Sequence, residues 1–322
     1  MSKQVLVLIP MDDAHKKHLE QIAPDAEFTY AKERTVTKEQ VQAANIILGS
    51  PPAFMLKDSP NLELLQLNSA GANRYIPEGV LPAGVKLCNA TGAYGLAISE
   101  YMVGVLLTLY KDLHRYRDHQ HKGLWKDLGS TKSIYGSTVL IVGLGDIGSE
   151  FARRIKAFGG YTIGLRRSGT AKPEFIDELY LTEQLDALLP RADVVALCLP
   201  ETPATKGLMN QERLSLCKQG AVLINVGRGS AVDTEALCNA LESGHLKGAA
   251  VDVTDPEPLP ADHRMWGLEN VIITPHVSGG YHDGETHQRI LRIAEQNLSA
   301  YLAGEKLMNP VDFTTGYKVS NK

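Results

Sequence analysis

The sequence predicts an α/β protein built from two parallel-sheet domains, and three observations predict it. Short apolar, β-branched runs alternate with amphipathic helical segments along most of the chain. Near the middle, residues 138–142 (Thr-Val-Leu-Ile-Val) run into Gly143-Leu144-Gly145-Asp146-Ile147-Gly148 and then into a helical pattern of Phe151, Ala152, Ile155 and Phe158. With so much chain ahead of that motif, and 322 residues in all, there is room for a second domain with its own core.

In the first part of the chain, residues 5–9, 46–48 and 64–67 read as strands and 12–23 and 38–43 as helices, which predicts a small flavodoxin-like parallel sheet. Ser69-Ala70-Gly71-Ala72 follows one of those strands and belongs at its carboxyl end, where open α/β sheets hold their ligands. Residues 96–114, apolar nearly all round at their centre, predict one long helix buried at a domain junction or a subunit interface. After the glycine motif, residues 161–165, 194–199, 221–226, 248–253 and 271–274 join 138–142 in a six-stranded, Rossmann-type doubly wound sheet, with helices at 182–189, 211–216 and 234–243 between them. The last helix, 284–302, sets Ile290, Ile293, Ala294, Leu298 and Tyr301 on one stripe. The tail after residue 305 is then expected to cross back and complete the first domain. The reading is a discontinuous substrate domain of residues 1–98 and 290–322, and a dinucleotide-binding domain of residues 99–289.

Composition narrows the class. At 43% hydrophobic and 22% charged residues with net charge −4, the chain reads as a globular protein with no excess of positive charge for nucleic acid or an anionic membrane. Residues 5–10 predict a buried strand rather than a secretion signal. Residues 101–110, the most apolar stretch elsewhere, fall far short of the ~20 residues of a membrane span. The four cysteines (Cys88, Cys198, Cys217, Cys238) are widely spaced and read as reduced thiols. The expectation is a soluble, cytoplasmic protein. His114, His119 and His121 lack partners at a zinc spacing, so no metal is expected.

The glycine motif has a physical reading. Gly143 permits the strand-to-helix turn, Gly145 lets backbone N–H groups approach a pyrophosphate, and Gly148 lets the helix pack on its strand. The helix N-terminus, beginning at Asp146 and Ile147, then faces the anion. Three further segments end predicted strands of the same sheet: Asn225-Val226-Gly227-Arg228-Gly229, Asp252 to Pro258, and Thr274-Pro275-His276. Hydride transfer between a nicotinamide and the carbon beside a carboxylate needs a fixed cation and a proton donor. Arg228 suits the first task, because its planar fork pairs with a carboxylate in bidentate fashion for roughly 1.5–3 kcal/mol. His276 suits the second, and Glu257 could bond its other ring nitrogen, fix the tautomer and favour imidazolium.

Taken in order, these motifs resemble those of the D-isomer-specific 2-hydroxyacid dehydrogenase family, from about Leu64 to Tyr317. The resemblance implies Arg228 as carboxylate binder, His276 as general acid/base and Glu257 as its partner. It also implies that Ala70 and Gly71 offer N–H groups to the substrate carboxylate, that Asp252 holds the nicotinamide carboxamide, and that the enzyme is a homodimer. Pro200, Thr205 and Val226 are assigned to the surroundings of the cofactor. Tyr94, Tyr75 and Trp266 are candidates to line the substrate side-chain pocket.

One departure bears on the cofactor. Members that prefer NAD usually end their second nucleotide-domain strand with an acid, whereas this chain has Leu165-Arg166-Arg167-Ser168. Two guanidiniums and a hydroxyl would bind a 2′-phosphate, so NADP is expected to be preferred and NAD to remain possible, as in a glyoxylate/hydroxypyruvate reductase-like member. Glu201 near the same pocket would oppose that preference. Two other readings stay open: a phosphoglycerate dehydrogenase, which needs further cations and often a C-terminal regulatory domain, and a dinucleotide-sensing corepressor on the same scaffold.

Overall fold

A computed structural model describes residues 2–281 and 283–314. The chain forms two compact units, residues 1–94 with 280–322 and residues 95–279. The strands are β1 (Gln4–Val7), β2 (Glu27–Tyr30), β3 (Ile46–Leu48), β4 (Leu64–Gln66), β5 (Lys86–Cys88), β6 (Thr138–Val142), β7 (Tyr161–Arg166), β8 (Glu178–Leu181), β9 (Val194–Leu197), β10 (Ala221–Asn225), β11 (Leu246–Val251) and β12 (Val271–Ile273). The helices are α1 (Asp13–Ile22), α2 (Lys38–Ala43), α3 (Gly95–Tyr110), α4 (Leu113–His121), α5 (Asp146–Ala157), α6 (Leu185–Leu188), α7 (Gln211–Leu216), α8 (Thr234–Glu242) and α9 (Gly284–Leu302).

The first unit is a five-stranded parallel sheet in the order β2-β1-β3-β4-β5, the flavodoxin-like order. Its central strands β1, β3 and β4 are almost wholly apolar because both faces are covered. Val5, Val7, Ile46, Leu48 and Leu64 pack on one side with Leu19 of α1 and Ile290, Leu291, Ile293, Ala294 and Leu298 of α9. Leu6, Ile47, Leu65 and Leu87 pack on the other with Val41 of α2. The whole of α9 therefore belongs to this unit. The tail does return: Pro310 bridges Cys88, and Val311 donates to Leu87 O at 2.8 Å. Residues 315–322, where the resemblance ends, lie outside the described residues.

The second unit is a seven-stranded parallel sheet in the order β12-β11-β10-β9-β6-β7-β8. This is the doubly wound order with one strand added beyond β11, and the direction of winding switches between β6 and β9. Leu140, Val142, Ile163, Val195, Leu197, Leu223 and Val251 form one core with residues of α6, α7 and α8. Fully burying a side chain of this size contributes roughly 1.5–3 kcal/mol.

Three expectations need correction. The second sheet has seven strands rather than six, because the edge strand β8 is partly exposed and its Glu-Leu-Tyr-Leu shows no apolar run. The first sheet likewise gains β2, an edge strand of alternating exposure, and the three-residue β5. The single helix expected at 96–114 is two, broken where Asp112 takes a left-handed φ of 52° and its carboxylate meets Lys247 at 3.4 Å. Among the described residues, no helix is long and apolar enough to cross a membrane. All four cysteines are free, and burial pushes the Cys88 and Cys198 thiols up to about 12.

Candidate active site

The glycine turn follows β6 at the switch point of the second sheet. Gly143 has φ +104°, and a Cβ there would sit 2.8 Å from Cys198 O at the end of β9. At Gly148 a Cβ would come within 2.0 Å of Gly143 O, so the helix can lie this close to its strand only with glycine. Gly145 is different: nothing lies within 4 Å of the position its Cβ would take. Packing does not demand that glycine, and the space beside it suits a pyrophosphate. Gly145 is also the N-cap of α5, whose ladder begins only with Ser149 N–H to Gly145 O at 3.0 Å. The preceding N–H groups, those of Asp146, Ile147 and Gly148, form the partially positive helix end at which anions bind. Asp146 also accepts from Gly95 N–H at 2.8 Å, tying the start of α3 to this turn. The turn therefore fits a dinucleotide.

The ends of the neighbouring strands close around the same region. After β9, Thr205 donates to Pro200 O at 2.8 Å and accepts from Thr202 N–H at 2.8 Å, fixing that turn. Val226 is buried and donates to Leu197 O at 3.2 Å. After β7, Arg166 donates from Nε to Gly169 O at 3.0 Å and from Nη2 to Ala171 O at 2.6 Å. Its fork thereby shapes the turn that carries the exposed Arg167 and Ser168. Glu201 accepts from the Ser230 hydroxyl at 2.5 Å, beside the Arg228 turn.

Arg228, Glu257 and His276 stand on the carboxyl ends of β10, β11 and β12, three adjacent strands. Asn225 sets the Arg228 turn, donating to Arg228 O at 3.0 Å and accepting from Gly227 N–H at 3.1 Å. A Cβ at Gly229 would lie 1.9 Å from Thr254 O, so the Arg228 turn rests directly on the segment leading to Glu257. Glu257 Oε1 is 2.8 Å from His276 Nδ1, with both side chains about half exposed at 45% and 49%. His276 itself has φ +53°, a left-handed conformation that costs a non-glycine residue roughly 1–2 kcal/mol. Its N–H donates to Asp252 O at 2.8 Å. The Asp252 side chain, 1% exposed, accepts from Thr274 Oγ1 at 2.6 Å, Val277 N–H at 2.9 Å, Ser278 N–H at 3.0 Å and the Ser278 hydroxyl.

The carboxyl edge of the first sheet holds an uncharged network. Asn68 joins Ser50 and Tyr281 through its side chain and Tyr94 through its carbonyl, and Tyr75 donates to Pro51 O at 2.8 Å. Burial holds the Tyr94 phenol above the ordinary tyrosine range and lifts that of Tyr75 to about 12. In the Ser69–Ala70–Gly71 turn the carbonyls are taken by Ala90 N–H, Asn89 Nδ2 and the Ser69 hydroxyl. The N–H groups of Ala70 and Gly71 have no partner among the described residues. Trp266, in the other unit, is half exposed and donates to Pro260 O at 2.9 Å.

Sequence reasoning missed Thr274, Ser278, Tyr101, Asn68 and Tyr281. The first two flank His276, and a Thr or Ser on each side of a strand-end histidine is a usable signal for a carboxylate beneath it. Tyr101 lies in α3, where no local pattern marks it.

The comparisons agree with this geometry. Residues 103–278 match the model of the D-isomer specific 2-hydroxyacid dehydrogenase NAD-binding domain. A glyoxylate reductase of Thermofilum pendens is 34% identical over 79% of this chain and 76% of its own length. The crystal structure of a D-isomer specific 2-hydroxyacid dehydrogenase family protein from Aeromonas salmonicida is similar with a TM-score of 0.85 at 33% identity, covering 97% of this chain and 100% of that one. An NADPH-dependent glyoxylate/hydroxypyruvate reductase from Sinorhizobium meliloti, solved with NADP and sulfate, has a TM-score of 0.83 at 26% identity over 98% of this chain and 100% of its own. A switch-point turn with room for a pyrophosphate, lying within the residues that match the NAD-binding-domain model, and the likeness to these relatives place the chain in the D-isomer-specific 2-hydroxyacid dehydrogenase family, as an NAD(P)-dependent oxidoreductase.

Proposed function

We propose that the chain reduces a small 2-oxo acid, such as glyoxylate, hydroxypyruvate or a branched-chain analogue, to the D-2-hydroxy acid, and prefers NADP(H) to NAD(H). The observation that carries the roles is the 2.8 Å pair of His276 Nδ1 and Glu257 Oε1, beside the strand that ends in Arg228. With Nδ1 turned to Glu257, the other ring nitrogen, Nε2, is the one that serves the substrate oxygen. A bound reduced nicotinamide supplies the hydride. Arg228 holds the carboxylate, and the N–H groups of Ala70 and Gly71 are assigned to the same anion. His276 starts as imidazolium, gives the Nε2 proton to the ketone oxygen as negative charge builds there, and ends neutral with Nδ1–H still facing Glu257. Oxidation starts from the neutral ring and returns the proton.

The preference for NADP rests on the turn ordered by Arg166. Arg166, Arg167 and Ser168 are assigned the 2′-phosphate, with Arg166 also shaping the turn through Gly169 O and Ala171 O. A cytoplasmic homodimer is part of the proposal, supported by the exposed Leu124 and Trp125 just after α4, which a second copy would cover. The test is a panel of 2-oxo acids, including 3-phosphohydroxypyruvate, assayed with NADPH and NADH for wild type and Arg167→Ala. Turnover of a small 2-oxo acid is expected, with kcat/KM favouring NADPH by ~10-fold or more, a charge-assisted pair of ~1.5 kcal/mol. In Arg167→Ala that ratio should shrink towards unity. Cofactor binding without turnover of any 2-oxo acid would replace this reading with the corepressor.

A further inference from the structure

Three tyrosines stand at the carboxyl edge of the five-stranded sheet, and two of them have already spent their protons. Tyr75 donates to Pro51 O at 2.8 Å and Tyr94 donates to Asn68 O, so both are tied to main-chain carbonyls. Tyr281 is held differently. Its hydroxyl is bonded to the Asn68 side chain, and it has no second partner among the described residues. A phenol donates one hydrogen bond and also accepts, so one function is left over. At 41% exposure Tyr281 can be reached by a ligand, whereas Tyr75 at 6% cannot. Its ring is nonetheless fixed in place, meeting His287 of α9 edge-on with centroids 5.1 Å apart. His287 is fixed in turn, with Nε2 donating to Pro10 O at 2.6 Å. Burial raises the Tyr281 phenol above its ordinary range, and the Glu33 carboxylate adds to this without bonding to it. The hydroxyl therefore stays neutral at any working pH.

The amide between Tyr281 and Ser50 decides which function remains. Asn68 can turn either its nitrogen or its oxygen to Tyr281 at no loss of bonds, because the Ser50 hydroxyl beyond it donates or accepts equally well. In the first case Tyr281 keeps a proton for a ligand, and in the second a lone pair. A ligand hydroxyl fits both. A carboxylate or phosphate oxygen, which only accepts, fits the first alone, and a methyl group fits neither. Asn68 also leads directly into the Ser69–Ala70–Gly71 turn, where the N–H groups of Ala70 and Gly71 have no partner among the described residues. One amide thus joins Tyr281 to the segment assigned to the substrate carboxylate.

We propose that Tyr281 is a specificity-determining residue, whose hydroxyl pairs with a hydroxyl on carbon 3 of the oxo acid and so selects a 3-hydroxy-2-oxo acid over its aliphatic analogues. The inference rests on the assignment of the substrate carboxylate to Ala70 and Gly71. An acid anchored there carries carbon 3 only two bonds from its carboxyl carbon, among the side chains that flank the turn.

The experiment compares hydroxypyruvate with 2-oxobutyrate, in which a methyl replaces the hydroxyl, for wild type and Tyr281→Phe in steady-state reduction with NADPH. Wild type should favour hydroxypyruvate by ~10-fold in kcat/KM, the scale of one hydrogen bond. Tyr281→Phe keeps the ring against His287 and should bring that ratio close to unity. The loss should fall on KM for hydroxypyruvate, because the oxygen on carbon 3 gains no charge during hydride transfer. The wild-type ratio carries the test by itself should the variant fail to fold. Equal kcat/KM for the two acids in wild type, a ratio unchanged in Tyr281→Phe, or an equal loss on both acids, which marks a purely structural phenol, would each overturn the proposal while leaving the reductase reading intact. Wild type that turns over neither acid would instead remove the reductase reading, and this proposal with it.

Discussion

The carboxyl edges of the two sheets are built from different chemistry. In the seven-stranded sheet the edge carries Arg166, Arg228, Glu257 and His276, with a left-handed histidine and a buried carboxylate below it. In the five-stranded sheet it carries Ser50, Asn68, Tyr94 and Tyr281, bonded to one another, and a turn whose Ala70 and Gly71 N–H groups have no partner among the described residues. Both edges descend from the same rule, that parallel strands leave their loops together at one end. Under the proposed function the work divides the same way: the charged edge is assigned the groups that move or fix charge, and the neutral edge the backbone template for an anion.

The largest expected effect tests that division directly. His276→Gln should lower kcat by ~100–10,000-fold, the range for loss of a general acid/base, while Asn68→Ala should change kcat by only a few-fold and act mainly on KM for the oxo acid. Equal losses of kcat in the two variants would erase the contrast. Next comes a pair of glycines in one turn. Gly148→Ala forces a Cβ to 2.0 Å from Gly143 O and should lower the melting temperature by ~5 °C or more, whereas Gly145→Ala meets no protein atom and should melt like wild type. Gly145→Ala should instead weaken cofactor binding by ~10-fold or more, read by calorimetry, because the added methyl occupies the approach to the pyrophosphate. Two variants that melt alike and bind alike would remove the distinction.

The smallest effect lies away from both edges. The Arg191 hydrogen bond, assisted by Tyr180, lowers the Glu178 carboxyl to about 2 in the folded chain from the usual 4.5. A depressed carboxylate contributes stability above its unfolded pKa and loses it as pH falls through the folded one. Arg191 is 44% exposed, so solvent screens the pair and its contribution to stability is small. Glu178→Gln should therefore melt ~1–3 °C below wild type at pH 7, a gap that closes as the pH approaches 2. A gap that widens on acidification would reverse the sign of this argument.

How much of this was legible in the sequence follows from the same contrast. Charged residues at strand ends announce themselves, so Arg228, Glu257, His276 and the glycine turn could be read from four short motifs. The central strands were visible because burial on both faces makes nearly all their residues apolar, as at Val139 to Val142 of β6 and Ala221 to Ile224 of β10. The edge strand β2 keeps Glu27 and Thr29 exposed, and β8 mixes half-buried Glu178, Leu179 and Tyr180 with an exposed Leu181, so neither short strand left an apolar run to find. The neutral network around Asn68 was silent, since Asn, Ser and Tyr are common in loops and only the fold shows that they meet. Arg166 shows the opposite failure: its charge was legible, but its bonds to Gly169 O and Ala171 O depend on a turn that no motif specified.

The late docking of α9 has a consequence for how the chain is made. The first sheet is complete in sequence at Cys88, yet one of its faces is covered by Ile290, Leu291, Ile293 and Leu298. At ~5–20 residues per second, a ribosome needs on the order of 10–40 s to span that interval. Throughout it, the nascent amino-terminal segment leaves valine and isoleucine of that face uncovered, and the second unit, contiguous from Gly95 to Gly279, can close its own core first.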